Sequence, residues 1–227
     1  MKSPFIILYL NLLILTIASC QSQPTIDYAN KLKDCLEPKD IELLNSLAGN
    51  FEKHIIGTYN LPANESYKRY LQDVATINFP QNFFSYSTFK EDLNRFRNSE
   101  FYRRTWVKTS TFDKESIIMV PPTVVDGKVE QHEAHDPIVI DPNGNYVSSL
   151  TKNIESKALN DYMEVVKEGI DISPTLVAQS LYENLSDEEL DNSLTRLIIA
   201  VNFHYQIGLL MNDKIQADNT KYGAVGR

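Results

Sequence analysis

The sequence predicts a mainly α fold, a single multi-helix domain interrupted by one turn-rich insert with room for a short β-hairpin. Three observations carry that expectation. Apolar residues recur at helical spacing on both sides of residues 108–145. Within that stretch, turn-forming dipeptides are dense enough to leave no room for a long helix. Near the C-terminus, Ser193 to Met211 is apolar on nearly every side, which suits a helix surrounded by others.

Taken in order, Ile26, Ala29, Leu32 and Leu36 share a helical spacing, and Pro38 marks a break after them. Ile41, Leu44, Ala48, Phe51 and Ile55 form the cleanest stripe in the chain, one face of a helix from about Asp40 to Tyr59. After the Leu61-Pro62 turn, Tyr67, Tyr70, Leu71, Val74 and Ile77 define a third helix. Thr88 and Glu91 have the spacing of a capping box ahead of Phe89, Leu93 and Phe96. Glu100 to Val107 carries aromatics that fit either a helix or a strand.

The insert contains Pro121-Pro122, Asp126-Gly127, Asp136-Pro137 and Asp141-Pro142-Asn143-Gly144. Ile117 to Val120 and Ile138 to Ile140 are strand-sized apolar pieces, candidates for a paired ribbon. Helical pattern resumes with Tyr146, Leu150 and Ile154, then with Ala158, Tyr162, Val165 and Val166, which Gly169 is placed to cap. Ser173-Pro174 reads as a cap followed by proline at the first helical position, and Val177, Ser180, Leu181 and Asn184 keep one register from there. Ser186 and Glu189 repeat the capping-box spacing before the last helix. In that helix, Leu197, Ile198, Val201 and Tyr205 are expected to be buried deepest. Arg196, Asn202, His204 and Gln206 argue against a membrane span, because polar groups at the middle of a bilayer are costly.

The first residues form a separate unit. Lys2 precedes the apolar run from Phe5 to Ile17, which ends in Ile17-Ala18-Ser19-Cys20. A positive start, a short apolar stretch and small residues before a cut site are the parts of a secretory signal peptide. A cysteine at the cut resembles the lipobox of bacterial lipoproteins. That resemblance covers only the first twenty residues. It implies that residues 1–19 are removed and that Cys20 is acylated as the first mature residue. The chain would then be lipid-anchored at the cell membrane, at the outer membrane facing the periplasm. A single membrane-spanning helix is the weaker reading, since the run is short and Asn11 interrupts it. A plain secreted protein glycosylated at Asn64 or Asn184 is another. On the lipoprotein reading, residues 20–25 form a tether, 26–211 the helical domain and 212–227 a flexible tail. Cys35 is the one other cysteine, so no intrachain disulfide framework is available and the core must hold the fold.

Acids outnumber bases, 30 to 22, and loss of residues 1–19 removes one lysine and shifts the net charge from -8 to -9. That balance argues against nucleic acid and against a basic membrane-binding face. The membrane is met through lipid instead, and a protein partner with a basic surface is favoured.

Chemistry is sparse. His132 and His135, with Glu130, Glu133 and Asp136 around them, are the one metal-like group, suited to zinc or a similar divalent ion. The spacing is one residue short of the helical zinc-protease motif, and in a turn-rich loop such residues more often serve as solvated charge. Asp141 to Asn145 lacks the spacing of a calcium loop and reads as a turn. His204 with Asn202 and Gln206 reads as a polar network satisfied within the core. Cys35 has Lys33 nearby but reads as structural. No nucleophile elbow, phosphate-cradling glycine loop or Cys-x-x-Cys pair is present. The expected function is a non-enzymatic interaction or binding module of the cell envelope, for instance an immunity-type inhibitor of a toxin, with no cofactor. The alternative is a metal-dependent hydrolase built on His132 and His135.

Overall fold

A computed structural model describes residues 26–112, 136–170 and 172–213, with the backbone of two short strands between residues 122 and 131. The fold is mainly α. Its helices are α1 (Pro38–Tyr59), α2 (Ala63–Thr76), α3 (Phe89–Asn98), α4 (Glu100–Thr105), α5 (Asn145–Asn153), α6 (Lys157–Lys167), α7 (Pro174–Asn184), α8 (Asp187–Asp191) and α9 (Ser193–Asp213). Strands β1 (Trp106–Lys108) and β4 (Ile138–Ile140) pair antiparallel, as do β2 (Thr123–Val125) and β3 (Lys128–Glu130).

Each helix begins and ends for a local reason. In α1, Pro38 occupies the first turn, where its missing N–H costs nothing, and Asn60 closes the helix in the left-handed region with φ of 54°. Ile41, Leu44, Ala48, Phe51 and Ile55 all turn inward, as the stripe requires. Asp40 is buried in the first turn and accepts from Arg104 at 2.5 Å, which ties α1 to α4. Helix α8 opens with a full capping box between Ser186 and Glu189.

The expected centre is the observed one. Leu197, Ile198, Val201 and Tyr205 of α9 are completely buried, and α1 packs along the helix. Among the described residues, α9 alone is long and apolar enough to cross a membrane, but 78% of its apolar window is buried inside the protein. Helix α2 packs most extensively on α7 and also meets α1 and α8.

Local departures from the sequence expectations are instructive. The first predicted helix is instead a short 3-10 turn over Asn30–Leu32. Ala29 donates its N–H to the side chain of Asn45 at 2.9 Å, so a non-helical partner satisfies the backbone there. Ile77 is not on the buried face of α2. It ends that helix with φ of 52°, a conformation that costs a β-branched residue energy, and its side chain is 75% exposed. Thr88 and Glu91 form no capping box, because Thr88 already has near-helical backbone angles and its side chain bonds no backbone N–H. Glu100 to Val107 is both things at once: helix through Thr105, then strand.

The insert does contain a hairpin, but with different partners from those the apolar pieces suggest. Strands β2 and β3 flank Asp126-Gly127, with Val124 opposite Val129. Ile138–Ile140 pairs instead with Trp106–Lys108, and Ile117 to Val120 lies outside the described residues. Together β1 and β4 form a stem at the base of the insert. Thr109 donates its N–H to Pro137 at 2.9 Å, and Asp141 donates to Thr105 at 2.7 Å, extending the stem at both ends.

A further feature has no signature in the apolar pattern. Residues Ile199–Tyr205 of α9 are wound as a π-helix, whose wider turn advances more residues per revolution than an α-helix. That winding fixes which side chains of α9 share a face.

Candidate functional site

Of the predicted metal group, Asp136 is the member whose side chain can be placed; Glu130 contributes described backbone in β3, and His132, Glu133 and His135 lie outside the described residues, as does Cys20. Asp136 is already engaged. Its carboxylate accepts from the Ser110 hydroxyl at 2.7 Å, the Ser110 N–H at 3.1 Å and the Thr109 hydroxyl at 3.1 Å, with the Lys108 ammonium 3.8 Å away. The Ser110 bonds, chiefly, hold this acid below the usual carboxylate range. Such a carboxylate fastens the stem. Among the described residues, no group of histidine, cysteine and acidic side chains is arranged to hold a metal ion.

Beside the stem lies a groove of about 590 Å³, within the range of small-molecule sites. Two clefts elsewhere are smaller, about 200 and 370 Å³. The groove runs between β4, the C-terminal half of α6, the start of α7 and the π-wound part of α9. Its walls are mostly apolar, with Val166, Val177 and Phe203 buried and Ile138, Ile170 and Leu210 half-exposed at its edges. Exposed apolar side chains gather nearby. Leu176 and Met211 follow lining residues along α7 and α9, and Phe112 packs on Gly169 of the lining. Exposed apolar side chains of this kind beside a concavity are a feature that binding surfaces share.

Gly169 serves two ends. It carries the φ of 67° that the capping reading requires, and a Cβ on it would lie 2.7 Å from Phe112 Cε2. The glycine therefore lets the Phe112 ring pack directly on its backbone.

Polar groups converge on the groove from α9 and α6. Asn202 is engaged at both ends of its amide: its Oδ1 accepts from the Tyr146 hydroxyl at 3.0 Å, and its Nδ2 donates to the Tyr162 hydroxyl oxygen at 3.3 Å. Burial pushes the Tyr162 phenol up to about 12, so it stays protonated with its hydrogen available to donate. Gln206 Oε1 is buried and has no hydrogen-bond partner. An unpaired buried acceptor is costly and calls for an explanation.

The expected network of Asn202, His204 and Gln206 is therefore corrected. Helical spacing puts Asn202 and Gln206 on the groove side and His204, two residues from each, on the opposite, aromatic side. There the His204 ring stacks on Phe51 at 4.4 Å and on Phe84 at 5.4 Å, and its Nε2 lies 3.1 Å from the Tyr86 hydroxyl. His54 also stacks on Tyr86, at 4.0 Å, with its ring centre 6.4 Å from that of His204. Burial, and then the neighbouring His54, hold His204 well below the usual imidazole range. This ring is a packed core element. Cys35 lies in the turn after the 3-10 segment, while Lys33 pairs with Asp27 at 2.5 Å. Asp141 makes the expected turn, accepting from the Asn143 and Gly144 N–H groups at 3.0 Å.

Sequence reasoning reached Asn202 and Gln206 through their four-residue spacing but missed Tyr146, Tyr162, Val177 and Phe203. Tyr146 and Tyr162 were read as stripe residues, and only their hydroxyls, meeting across three helices, reveal the second role. No family model matches the sequence, and neither the curated proteins nor the solved structures yield a match.

Proposed function

We propose that this chain is a lipid-anchored protein of the cell envelope that acts as a non-enzymatic binding module through the groove beside the stem. The observation that carries the reading is an apolar concavity of ligand size with Asn202 and Gln206 as polar members of its lining. The lipobox-like ending at Cys20 supports the anchor, and the acidic balance of the chain is consistent with a basic partner outside the groove. An immunity-type inhibitor is one concrete form of such a module. The hydrolase reading draws on His132, Glu133 and His135, but the engagement of Asp136 with Ser110 and Thr109 weighs against it.

Two measurements test the proposal. Replacing Cys20→Ser should abolish incorporation of labelled fatty acid and release the protein from the membrane fraction; equal labelling of both forms would remove the anchor. Native mass spectrometry of protein purified from envelopes should detect a bound molecule that Leu210→Arg, at the exposed lip of the groove, no longer carries. An identical mass profile for the two forms would count against the groove. Metal analysis of the soluble Cys20→Ser protein separates the two readings, since the hydrolase requires a stoichiometric divalent ion.

A further inference from the structure

Away from the groove, the connector between α2 and α3 closes over two buried histidines. Residues 77–88 carry four aromatic rings, Phe79, Phe83, Phe84 and Tyr86, and no acid, base or histidine. Ile77 and Asn82 both hold left-handed backbone, with φ of 52° and 61°, which a β-branched residue such as Ile77 adopts at a cost. Among the described residues, the backbone hydrogen bonds of the connector close within it or on the adjoining helix ends. Ile77 and Asn78 donate to Val74 and Asp73, Phe83 to Pro80, Ser85 to Asn82, and Phe89 to Tyr86. What fastens the connector to the body is its rings. Phe83 and Tyr86 pack on His54 of α1 with ring centres 4.6 and 4.0 Å away, and Phe83, Phe84 and Tyr86 pack on His204 of α9 at 5.9, 5.4 and 5.9 Å. The Tyr86 hydroxyl adds the contact to His204 Nε2 at 3.1 Å.

Both histidines suit this contact when neutral. An imidazolium carries N–H on both nitrogens, whereas His204 Nδ1 and His54 Nε2 are buried without a hydrogen-bond partner and the two ring centres lie 6.4 Å apart. The Phe83 backbone, which favours the charged form of His54, offsets burial only in part. The other titratable groups facing the rings are the hydroxyls of Tyr70 on α2, of Tyr205 on α9, which donates to the Leu47 carbonyl at 3.0 Å, and of Tyr86, which burial keeps protonated. The carboxylates of the packed helices are engaged elsewhere, Asp73 of α2 by Tyr59 and Arg69, and Asp92 of α3 by Asn50 and Arg95. We propose that residues 77–88 form an aromatic strap latched by neutral His54 and His204, and that acid releases the strap while the helices around α9 stay folded, turning an enclosed ring cluster into an accessible apolar surface. Once the strap lifts, both rings regain water and titrate near 6.5 again, so the open form binds more protons and gains weight as pH falls below that value. Release also frees Ile77 from its left-handed backbone, which favours the strap as the unit that gives way first.

Hydrogen exchange of the intact protein, read by mass spectrometry and corrected for the intrinsic pH dependence of exchange, tests this. Between about pH 7 and about pH 5, opening of residues 77–88 should rise about 25-fold for each histidine released, and about 500-fold for the pair. Sub-denaturing urea identifies the opening. Exchange in residues 77–88 should not respond to it, whereas exchange in the core of α9 should, because only global unfolding exposes a large surface. His54→Phe and His204→Phe, which keep an aromatic ring in place, should each reduce the acid response to about 25-fold. The comparison of pH and urea uses unmodified protein, so it decides the matter even if a variant fails to fold. An acid response in residues 77–88 that is urea-dependent and equal to that of α9 would overturn local release. A full response in both variants would overturn the histidines as the latch, and absence of an acid response in the wild-type protein would overturn the strap altogether.

Discussion

The Nε2 of His204 lies 3.1 Å from the hydroxyl of Tyr86, and the other ring nitrogen of that histidine has no hydrogen-bond partner. Phe51 and Phe84 stack on the ring, and Phe83, Phe89, Tyr70 and Tyr205 meet it edge-on or tilted. A neutral imidazole suits this enclosure, whereas an imidazolium would need a second acceptor that the cage does not supply.

Acid sensitivity follows. In the unfolded chain both His54 and His204 titrate near 6.5. In the folded protein, burial pushes His54 down to about 4 and His204 well below its usual range. Between the two sets of values the unfolded chain binds more protons, so the contribution to stability is intact above about pH 6.5 and is lost as pH falls below it. The melting temperature should decline from pH 7 to pH 5, and His204→Phe should flatten that decline. An unchanged slope in the variant would show that the cage tolerates a charged ring.

Arg196 is the second buried polar centre. It donates to Glu52 at 3.1 Å, to the Leu190 carbonyl at 2.7 Å and to Asp191 at 2.6 Å, and its guanidinium lies 5.5 Å from the centre of the Tyr67 ring. Arg196→Ala would leave Glu52 buried and uncompensated, at a cost of about 3–5 kcal/mol. The double replacement Arg196→Met, Glu52→Gln should recover much of that loss. Urea denaturation of the two variants against the wild-type protein measures the difference, and equal losses in the single and double variants would refute the coupling.

Two glycines should respond in opposite directions to alanine. A Cβ on Gly57 of α1 meets nothing within 4 Å, so Gly57→Ala should stabilise the protein by about 0.5–1 kcal/mol through helix propensity. On Gly208 of α9 the same atom would lie 2.7 Å from Phe89 Cζ and 3.1 Å from Leu93 Cδ2. Gly208→Ala should therefore destabilise by about 1–3 kcal/mol, because α3 and α9 approach too closely to admit a methyl group. Thermal melts with opposite shifts would establish the contrast.

Asp136→Asn removes the charge behind the bonds to Ser110 and Thr109. The helical body should keep its circular dichroism, while tryptic cleavage after Lys114 or Lys128 should accelerate. Unaltered cleavage would mean that strand pairing between β1 and β4 alone holds the stem.

How much of this was legible beforehand depended on whether the determinant was local. The stripe of α1 and the all-round apolarity of α9 are repeated over several turns, so Phe51 and Val201 declare their burial in the sequence. Ile77 and Thr88 obeyed the same patterns and misled, because one residue at a helix end answers to its own backbone angles. The pairing of Trp106 with Ile140 joins segments more than thirty residues apart, and no local signal specifies it. Within the candidate site, Asn202 and Gln206 were visible as a pair. Their separation from His204 follows from the same spacing, since residues two apart in a helix face away from each other; what no local pattern shows is that β4 and α6, distant in sequence, wall the groove that they line.

The stem has an architectural consequence. With β1 held beside β4, and Asp136 latched to Ser110, the two ends of the intervening chain are brought together by contacts that belong to the body of the domain. Closing a loop on such a base grows costlier only with the logarithm of its length. Lengthening the chain between Phe112 and Asp136 should therefore cost little, and a longer insertion there should leave the helices around α9 to assemble as before.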